Sequence, residues 1–356
     1  MPEKGEWCKH QFCMKIIFLL PHLKISGGVK ILLMYADRLS RKGHHVSVLV
    51  GNPHAWRRQV INFFKIKPSW FSTIQASIVR VKNFEEEYIP DADILVTSVW
   101  YSAVQALQYK RHSAKKFLFI QHDEKLYHAE RSGVEKAYCS SLEKIVVSSW
   151  LQDVVRDEYH GDAFLLLNPI DREFFSPCRT RNEDGGIRIV MMHHSYAWKG
   201  TAEGISVVEA LKKKYPTIRL ILFGAREKTI SVPHDEYYYN PPQKKIPELY
   251  SNADIYLCPS WDEGAGLPSM EAMACRTALV TYDNGGSRDF AFDGKTAFVA
   301  KHRDIADLKK KLDVCIRDSV LRKQIAESGY QYIRRMPSWE EQTQRLEQFF
   351  LSALSL

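Results

Sequence analysis

The chain has no apolar run long enough to cross a bilayer. The longest early one, Met14 to Leu20, is about one strand long, against the roughly 20 residues that a spanning helix needs. Any membrane contact is therefore expected to be peripheral. Cysteine is sparse and unpatterned: the seven (Cys8, Cys13, Cys139, Cys178, Cys258, Cys275 and Cys315) are odd in number and scattered. With no secretory segment recognised ahead of them, the expectation is a reduced, cytoplasmic protein without disulfides, resting at most on the inner membrane face. Cys8, His10 and Cys13 imitate part of a zinc site, but a fourth ligand at suitable spacing is missing, so no metal is expected there. Internal repeats and low-complexity tracts are absent, as are zinc-finger, RRM and basic-zipper patterns. The net charge of +8 is thus not read as a nucleic-acid footprint; it suits phosphorylated ligands or an anionic surface equally well. Nor does a G-x-G-x-x-G open the first helix, which argues against a dinucleotide oxidoreductase.

What is present is length and a repeated pattern. A chain of 356 residues, 45% hydrophobic, accommodates two medium cores. Residues 14 to 20 (MKIIFLL) read as a strand, PHLKISGG breaks it, and Val29, Leu32, Leu33, Ala36 and Leu39 then recur at helical spacing before Gly43. A further strand at HVSVLV, His45 to Val50, completes a βαβ unit. Strands are also expected at 94–98, 117–120 and 144–148. The polar stretch RTRNEDGG, Arg179 to Gly186, reads as a linker. The pattern then restarts, with strands at 187–192, 218–224, 254–258 and 278–281 and helices at 200–215, 246–251 and 267–275. The predicted organisation is an N-terminal α/β domain over 14–178, a second Rossmann-like domain over 187–336, and a C-terminal helix over 338–356 that carries Trp339, Leu346, Phe349, Phe350 and Leu354.

In parallel sheets, ligands bind beyond the carboxyl ends of the strands, so the loops after strands are the places to look for function. Ser26-Gly27-Gly28 leads into the first helix, where Gly28 fits either an anion cradle or a tight turn. Gln121-His122-Asp123 places an imidazole at a strand end, a position equally open to a structural histidine. Trp198-Lys199-Gly200 offers a lysine able to reach a phosphate, or one that is merely solvated. The segment DEGAGLPSMEA, Asp262 to Ala272, carries more. Glu263 precedes the flexible Gly264-Ala265-Gly266, Pro268 suits the first turn of the helix that begins at Leu267, and Glu271 lies one turn in. Two carboxylates on either side of a helix N-terminus suit a ligand with hydroxyls at both ends and an anionic middle, as in a nucleotide-sugar.

With these residues in order, the chain resembles retaining glycosyltransferases of the GT-B fold, in family 4 (group 1). The resemblance runs from Met14 through Gly27-Gly28, Gly43-His44, Ser148-Ser149, Asn168 to Asp171, Lys199-Gly200, Gly224, PSWDEGAGLPSMEAMA, Gly285-Gly286 and Asp293-Gly294. It implies two Rossmann-like domains facing across a cleft, with the last helix returning to the N-terminal domain. It further implies Glu263 on the hydroxyls of the donor sugar, and the amides of Gly264, Ala265, Gly266 and Leu267 on sugar and diphosphate. Lys199 would meet the diphosphate, Glu271 the ribose, and His122 the sugar from the first domain. No metal or other cofactor is implied. The partners implied are a nucleoside diphosphate sugar and a saccharide or lipid-linked acceptor, with the acceptor near Trp56, Arg57, Arg58, Phe63, Phe64, Trp70 and Trp100 and the base near Tyr237 to Pro242. Two departures stand out. His194 occupies the family's arginine position, which Arg226 or a protonated His194 would have to make good, and Arg276 and Ala278 stand where glycine and proline are usual. Arg276 there supplies a charge or caps the helix. The first departure keeps open a catalytically degenerate homologue that binds a nucleotide or a partner subunit.

Overall fold

The computed structural model describes residues 12–24, 26–51, 67–127, 130–178, 186–225 and 228–355. Cys8, His10, Trp56, Arg57, Arg58, Phe63, Phe64, Arg226 and all of the expected linker except Gly186 lie outside these residues.

Two parallel sheets organise the chain. The first contains β1 (Lys15–Leu20), β2 (His45–Val50), β3 (Ser77–Arg80), β4 (Ile94–Thr97), β5 (Lys115–Ile120), β6 (Glu143–Val146) and β7 (Phe164–Leu165), in the order β3-β2-β1-β4-β5-β6-β7. The second contains β8 (Ile187–Met192), β9 (Ile218–Gly224), β10 (Glu236–Tyr239), β11 (Ile255–Cys258), β12 (Ala278–Tyr282) and β13 (Phe298–Ala300), in the order β10-β9-β8-β11-β12-β13. Around the first sheet lie α1 (Gly27–Arg41), α2 (Trp100–Ala106), α3 (Arg131–Tyr138) and α4 (Ser149–Tyr159). The later helices are α5 (Thr201–Lys212), α6 (Ile246–Ser251), α7 (Leu267–Ala274), α8 (Ile305–Arg317), α9 (Ser319–Arg335) and α10 (Trp339–Ala353).

The central strands are buried on both faces, which is why they read as continuous apolar runs rather than alternating ones; β12 is buried at every residue. Ser26 caps α1 by accepting a hydrogen bond from the Val29 N–H, and the expected stripe of Val29, Leu32, Leu33, Ala36 and Leu39 is buried. Four strands escaped the sequence reading: β3, β7, β10 and β13. Each has two to four residues, too few for a period to register. In both sheets the chain reverses its direction of winding beside the first strand, between β1 and β4 and between β8 and β11. Such a switch point leaves a crevice at the carboxyl ends, and the loops that end in Lys199 and Glu263 leave the second sheet there.

The C-terminal helix leaves the second domain and packs on the first. Trp339, Leu346 and Phe350 are part of the first domain's core. Phe350 meets the Phe117 ring at 4.9 Å and Phe349 stacks on Phe164 at 4.2 Å. Glu347 accepts from Lys42 Nζ at 2.7 Å and His44 Nε2 at 2.9 Å. Burial works to raise the Glu347 carboxyl, but Lys42 and His44 outweigh it and hold it below the ordinary value. Its contribution to stability is therefore present at neutral pH and is lost as pH falls through the folded-state value. Phe350→Ala should cost about 3–5 kcal/mol, because the cavity opens inside a packed aromatic cluster. Urea unfolding followed by tryptophan fluorescence measures it; a loss below about 1 kcal/mol would mean that α10 adds little to the first core.

Candidate active site

The site is built from the two loops at the second switch point and from the first-domain segments that close on them. After β11, Pro259 to Asp262 turn toward the cleft, and the Glu263 N–H donates to Asn284 O at 2.9 Å. The Gly286 N–H returns a bond to Glu263 O at 3.0 Å, so the glutamate backbone is fixed as a bridge to the loop after β12. Gly266 takes the left-handed conformation (φ 66°) that turns the chain into α7, and Pro268 sits in its first turn. After β8, His193 to Ala197 lead to Lys199, and Gly200, also left-handed (φ 61°), opens α5. A side chain at Gly200 would lie 1.9 Å from Pro259 O, so the two loops are packed backbone to backbone.

This packing brings Lys199 and Glu263 together: Lys199 Nζ donates to Glu263 Oε1 at 2.6 Å, both side chains being largely buried. Burial alone would lower the lysine's affinity for its proton; the charge and hydrogen bond of Glu263 overcome it, and the pKa lies above the ordinary value. Lys199 is thus a fixed cation. The ammonium has two further N–H groups, and the carboxylate has a second oxygen.

The first domain closes over this pair. Gly264 faces the β5 loop so closely that an added Cβ would lie 1.7 Å from Gln121 O and 3.3 Å from His122 Cα. His122 therefore sits across from the Glu263 loop, its ring 6.2 Å from that of Tyr127. The head of α1 joins the same junction: a Cβ on Gly28 would meet the Gln121 amide at 3.0 Å, and one on Gly27 would meet Leu267 Cδ1 at 3.2 Å. Ala265 and Leu267 pack against the cores of both domains. Glu271 faces Lys30 of α1, with Oε1 3.9 Å from Nζ. Burial pushes its carboxyl up to about 7, against the pull of Lys30.

His194 lies on the same loop as Lys199, but its ring is already engaged. Nδ1 accepts from the Tyr196 N–H at 3.1 Å, an arrangement that leaves the proton of the neutral ring on Nε2. A neutral ring held this way offers a donor at Nε2, not the permanent charge of an arginine. Arg276 points away from the cleft. It takes the left-handed position just past α7 (φ 62°), bonds Glu327 at 2.9 Å and lies over the Tyr330 ring at 4.5 Å. Of the two roles left open by sequence, it ends the helix.

Other contacts at the site could not be read from the sequence, although Trp198 and Ser149 lie in stretches already singled out. Tyr127 from the first domain stacks on Trp198 at 4.2 Å, and Trp198 stacks on Tyr196 at 4.3 Å, forming an aromatic ladder across the cleft. Burial raises the Tyr127 hydroxyl's pKa, and the nearby Asp262 and Glu263 carboxylates raise it further. A second seam joins Ser149 and Asp289: the Ser149 N–H at the head of α4 donates to Asp289 Oδ2 at 3.0 Å, an anion on a helix N-terminus. The residues lie far apart in the chain, so no local pattern links them.

Residues 176–332 match the model for glycosyl transferases group 1. The architecture is that of sucrose-phosphate synthase from Thermosynechococcus elongatus (TM-score 0.76, 15% identical, covering 96% of this chain and 99% of that one). It is equally that of Anabaena HepE in complex with UDP-glucose (TM-score 0.75, 15% identical, covering 95% and 100%). The fold is GT-B. Within this GT-B chain, a stretch of 156 residues is 26% identical to the capsular polysaccharide biosynthesis glycosyltransferase CapM of Staphylococcus aureus, covering 40% of this chain and 41% of that protein. The chain spans about two fifths of the length of the curated relatives it matches first. Among the described residues of this GT-B protein, no helix is long and apolar enough to cross a membrane, and no group of three or more His, Cys, Asp or Glu side chains is arranged to hold a metal ion.

Proposed function

We propose that the protein is a retaining glycosyltransferase that moves a sugar from a nucleoside diphosphate donor to an acceptor hydroxyl, in the building of a polysaccharide or glycoconjugate. The observation that carries this reading is the Lys199–Glu263 pair at the head of α7, closed over by the His122 loop. The second oxygen of Glu263 is suited to the donor sugar's hydroxyls, and the two remaining N–H groups of Lys199 to the diphosphate. The amides of Gly264 to Leu267 would meet the phosphates at the positive end of α7. As the bond from the anomeric carbon to the diphosphate oxygen breaks, the acceptor oxygen bonds that carbon from the same face, and its proton passes to the departing diphosphate. Stabilising that leaving group supplies the largest share of the acceleration. In this reading Lys199 and the helix dipole do it without a metal, and His122 orients the sugar. For the base, we assign the cavity of about 530 Å³ lined by Tyr237, Tyr238, Tyr239, Pro241 and Pro242, beyond the carboxyl end of β10. Glu271 takes the ribose.

The deciding experiment is nucleotide release from UDP-, GDP-, ADP- and dTDP-sugars with saccharide and lipid-linked acceptors, with and without a chelator. Release with one donor, unaffected by chelator, is expected; chelator inhibition reversed by added metal would sink the metal-free step. The engagement of His194 favours one second reading, a homologue that binds nucleotide without turnover. Donor binding with no release for any acceptor, unchanged in Glu263→Ala, would select it.

The ribose assignment carries a pH prediction. A carboxylate accepts from both hydroxyls of a diol, whereas its protonated form accepts less well. Nucleotide affinity should therefore rise as pH increases through about 7, where Glu271 ionises, and Glu271→Gln should flatten that dependence. Titration calorimetry across this range measures it; an unchanged slope in the variant would remove Glu271 from the ribose. The empty protein shows the opposite sign: a carboxyl raised from 4.5 to about 7 favours folding at low pH, and that contribution is lost as pH rises through the folded value.

A further inference from the structure

Near the head of α7, Lys199 and Lys30 are each already paired with a carboxylate. A nucleoside diphosphate sugar brings two negative charges on its phosphates, yet Lys199 is matched by Glu263 at 2.6 Å and Lys30 by Glu271 at 3.9 Å, so once Glu271 is ionised, above about pH 7, the two pairs sum to zero. His194 adds no fixed charge, its Nδ1 being held by the Tyr196 N–H. The two lysines are not held alike. Lys199 is in direct contact with its partner and largely buried; Lys30 stands at the outer limit of an ion pair with a side chain one-third exposed, and its ammonium lies 5.5 Å from the centre of the Phe175 ring. The head of α1 that carries Lys30 already touches the head of α7, through Gly27 and Leu267.

Resting on the proposed donor site, we infer that Lys30 is a second diphosphate-binding cation, supplied by the first domain, which exchanges Glu271 for the donor's phosphates when the ribose hydroxyls engage Glu271. The contact given up is a long one, 3.9 Å, and the ribose hydroxyls take the place of Lys30 at the largely buried Glu271, so the carboxylate is not left stranded. A flexible ammonium stem suits such a transfer between two anions better than a rigid guanidinium fork. The consequence is a coupling: through Lys30 the donor's phosphates hold the first domain on the second, where the heads of α1 and α7 already meet.

The test compares wild type, Lys30→Met and Lys30→Arg in the full chain by titration calorimetry at a pH well above the Glu271 titration. The probes are UDP, GDP, ADP and dTDP, their nucleosides, and inorganic pyrophosphate. For the diphosphate that wild type binds best, Lys30→Met should weaken affinity by about tenfold or more, the scale of a hydrogen bond to a charged group. Its nucleoside should bind as before, pyrophosphate should weaken in parallel, the salt dependence should become shallower, and Lys30→Arg should restore most of the affinity. Equal weakening of diphosphate and nucleoside would overturn the inference, since Lys30 would then act only by setting Glu271. Unchanged affinity for all probes would overturn it too. Absence of diphosphate binding to wild type is a different failure: it removes the donor site itself, and the inference with it.

Discussion

Glu263→Ala is expected to lower kcat/KM by about 100- to 1,000-fold, the range found when one preorganised polar contact to the reacting group is removed. The loss has two sources. The donor sugar loses the acceptor that fixes its hydroxyls, and Lys199, now without the partner at 2.6 Å, is free to leave the position from which it would meet the phosphates. Lys199→Ala should fall at least as far, because it removes the charge on the leaving group and strands Glu263 in a largely buried site, a costly arrangement. Glu263→Gln separates the two effects. It keeps the shape and an acceptor oxygen but no longer anchors the ammonium electrostatically, so its loss should be smaller than that of Glu263→Ala. Steady-state kinetics on the best donor, with thermal unfolding of each variant as the control for folding, decides the matter. Glu263→Ala within tenfold of wild type would remove the pair from the chemistry.

Gly264→Ala should be nearly as damaging, for a steric reason. Its Cβ would stand 1.7 Å from Gln121 O and 2.8 Å from the attached carbon; both are backbone atoms, so no side chain can swing aside. Either the β5 loop retreats by more than an ångström or the first domain fails to close. Misplacing His122 by that distance is worth about 100-fold in rate. The contact lies between domains, and the core of each domain is built without it, so the unfolding midpoint should move little while activity collapses. Near-normal kcat in Gly264→Ala would show that the closed contact between Gln121 and Gly264 is not the catalytic arrangement. Large destabilisation would instead make Gly264 a folding residue.

Much of this molecule was legible because parallel sheets write themselves plainly into sequence. Strands such as β1 and β12 are buried on both faces and appear as unbroken apolar runs, and α1 shows its stripe from Val29 to Leu39. DEGAGLPSMEA was legible for a similar reason: a left-handed glycine, a proline in the first turn and two flanking glutamates are local requirements of one loop and one helix. The short edge strand β10 was not, because four residues carry no period; Tyr237 to Pro242 stood out only through the family resemblance, as a place for the base.

By itself, then, the sequence determined the two α/β units, the loops that carry Lys199 and Glu263, and the candidacy of Glu271 and His122, all properties of chain segments a dozen or so residues long. Tertiary structure alone decided the contacts between distant segments. It tied Lys199 to Glu263, set Lys30 opposite Glu271, engaged His194 through Tyr196, turned Arg276 out to Glu327, and stacked Tyr127 on Trp198. Charge matching and ring stacking depend on where side chains meet in space. That is fixed when two separately folded sheets close on each other, and no local periodicity encodes it.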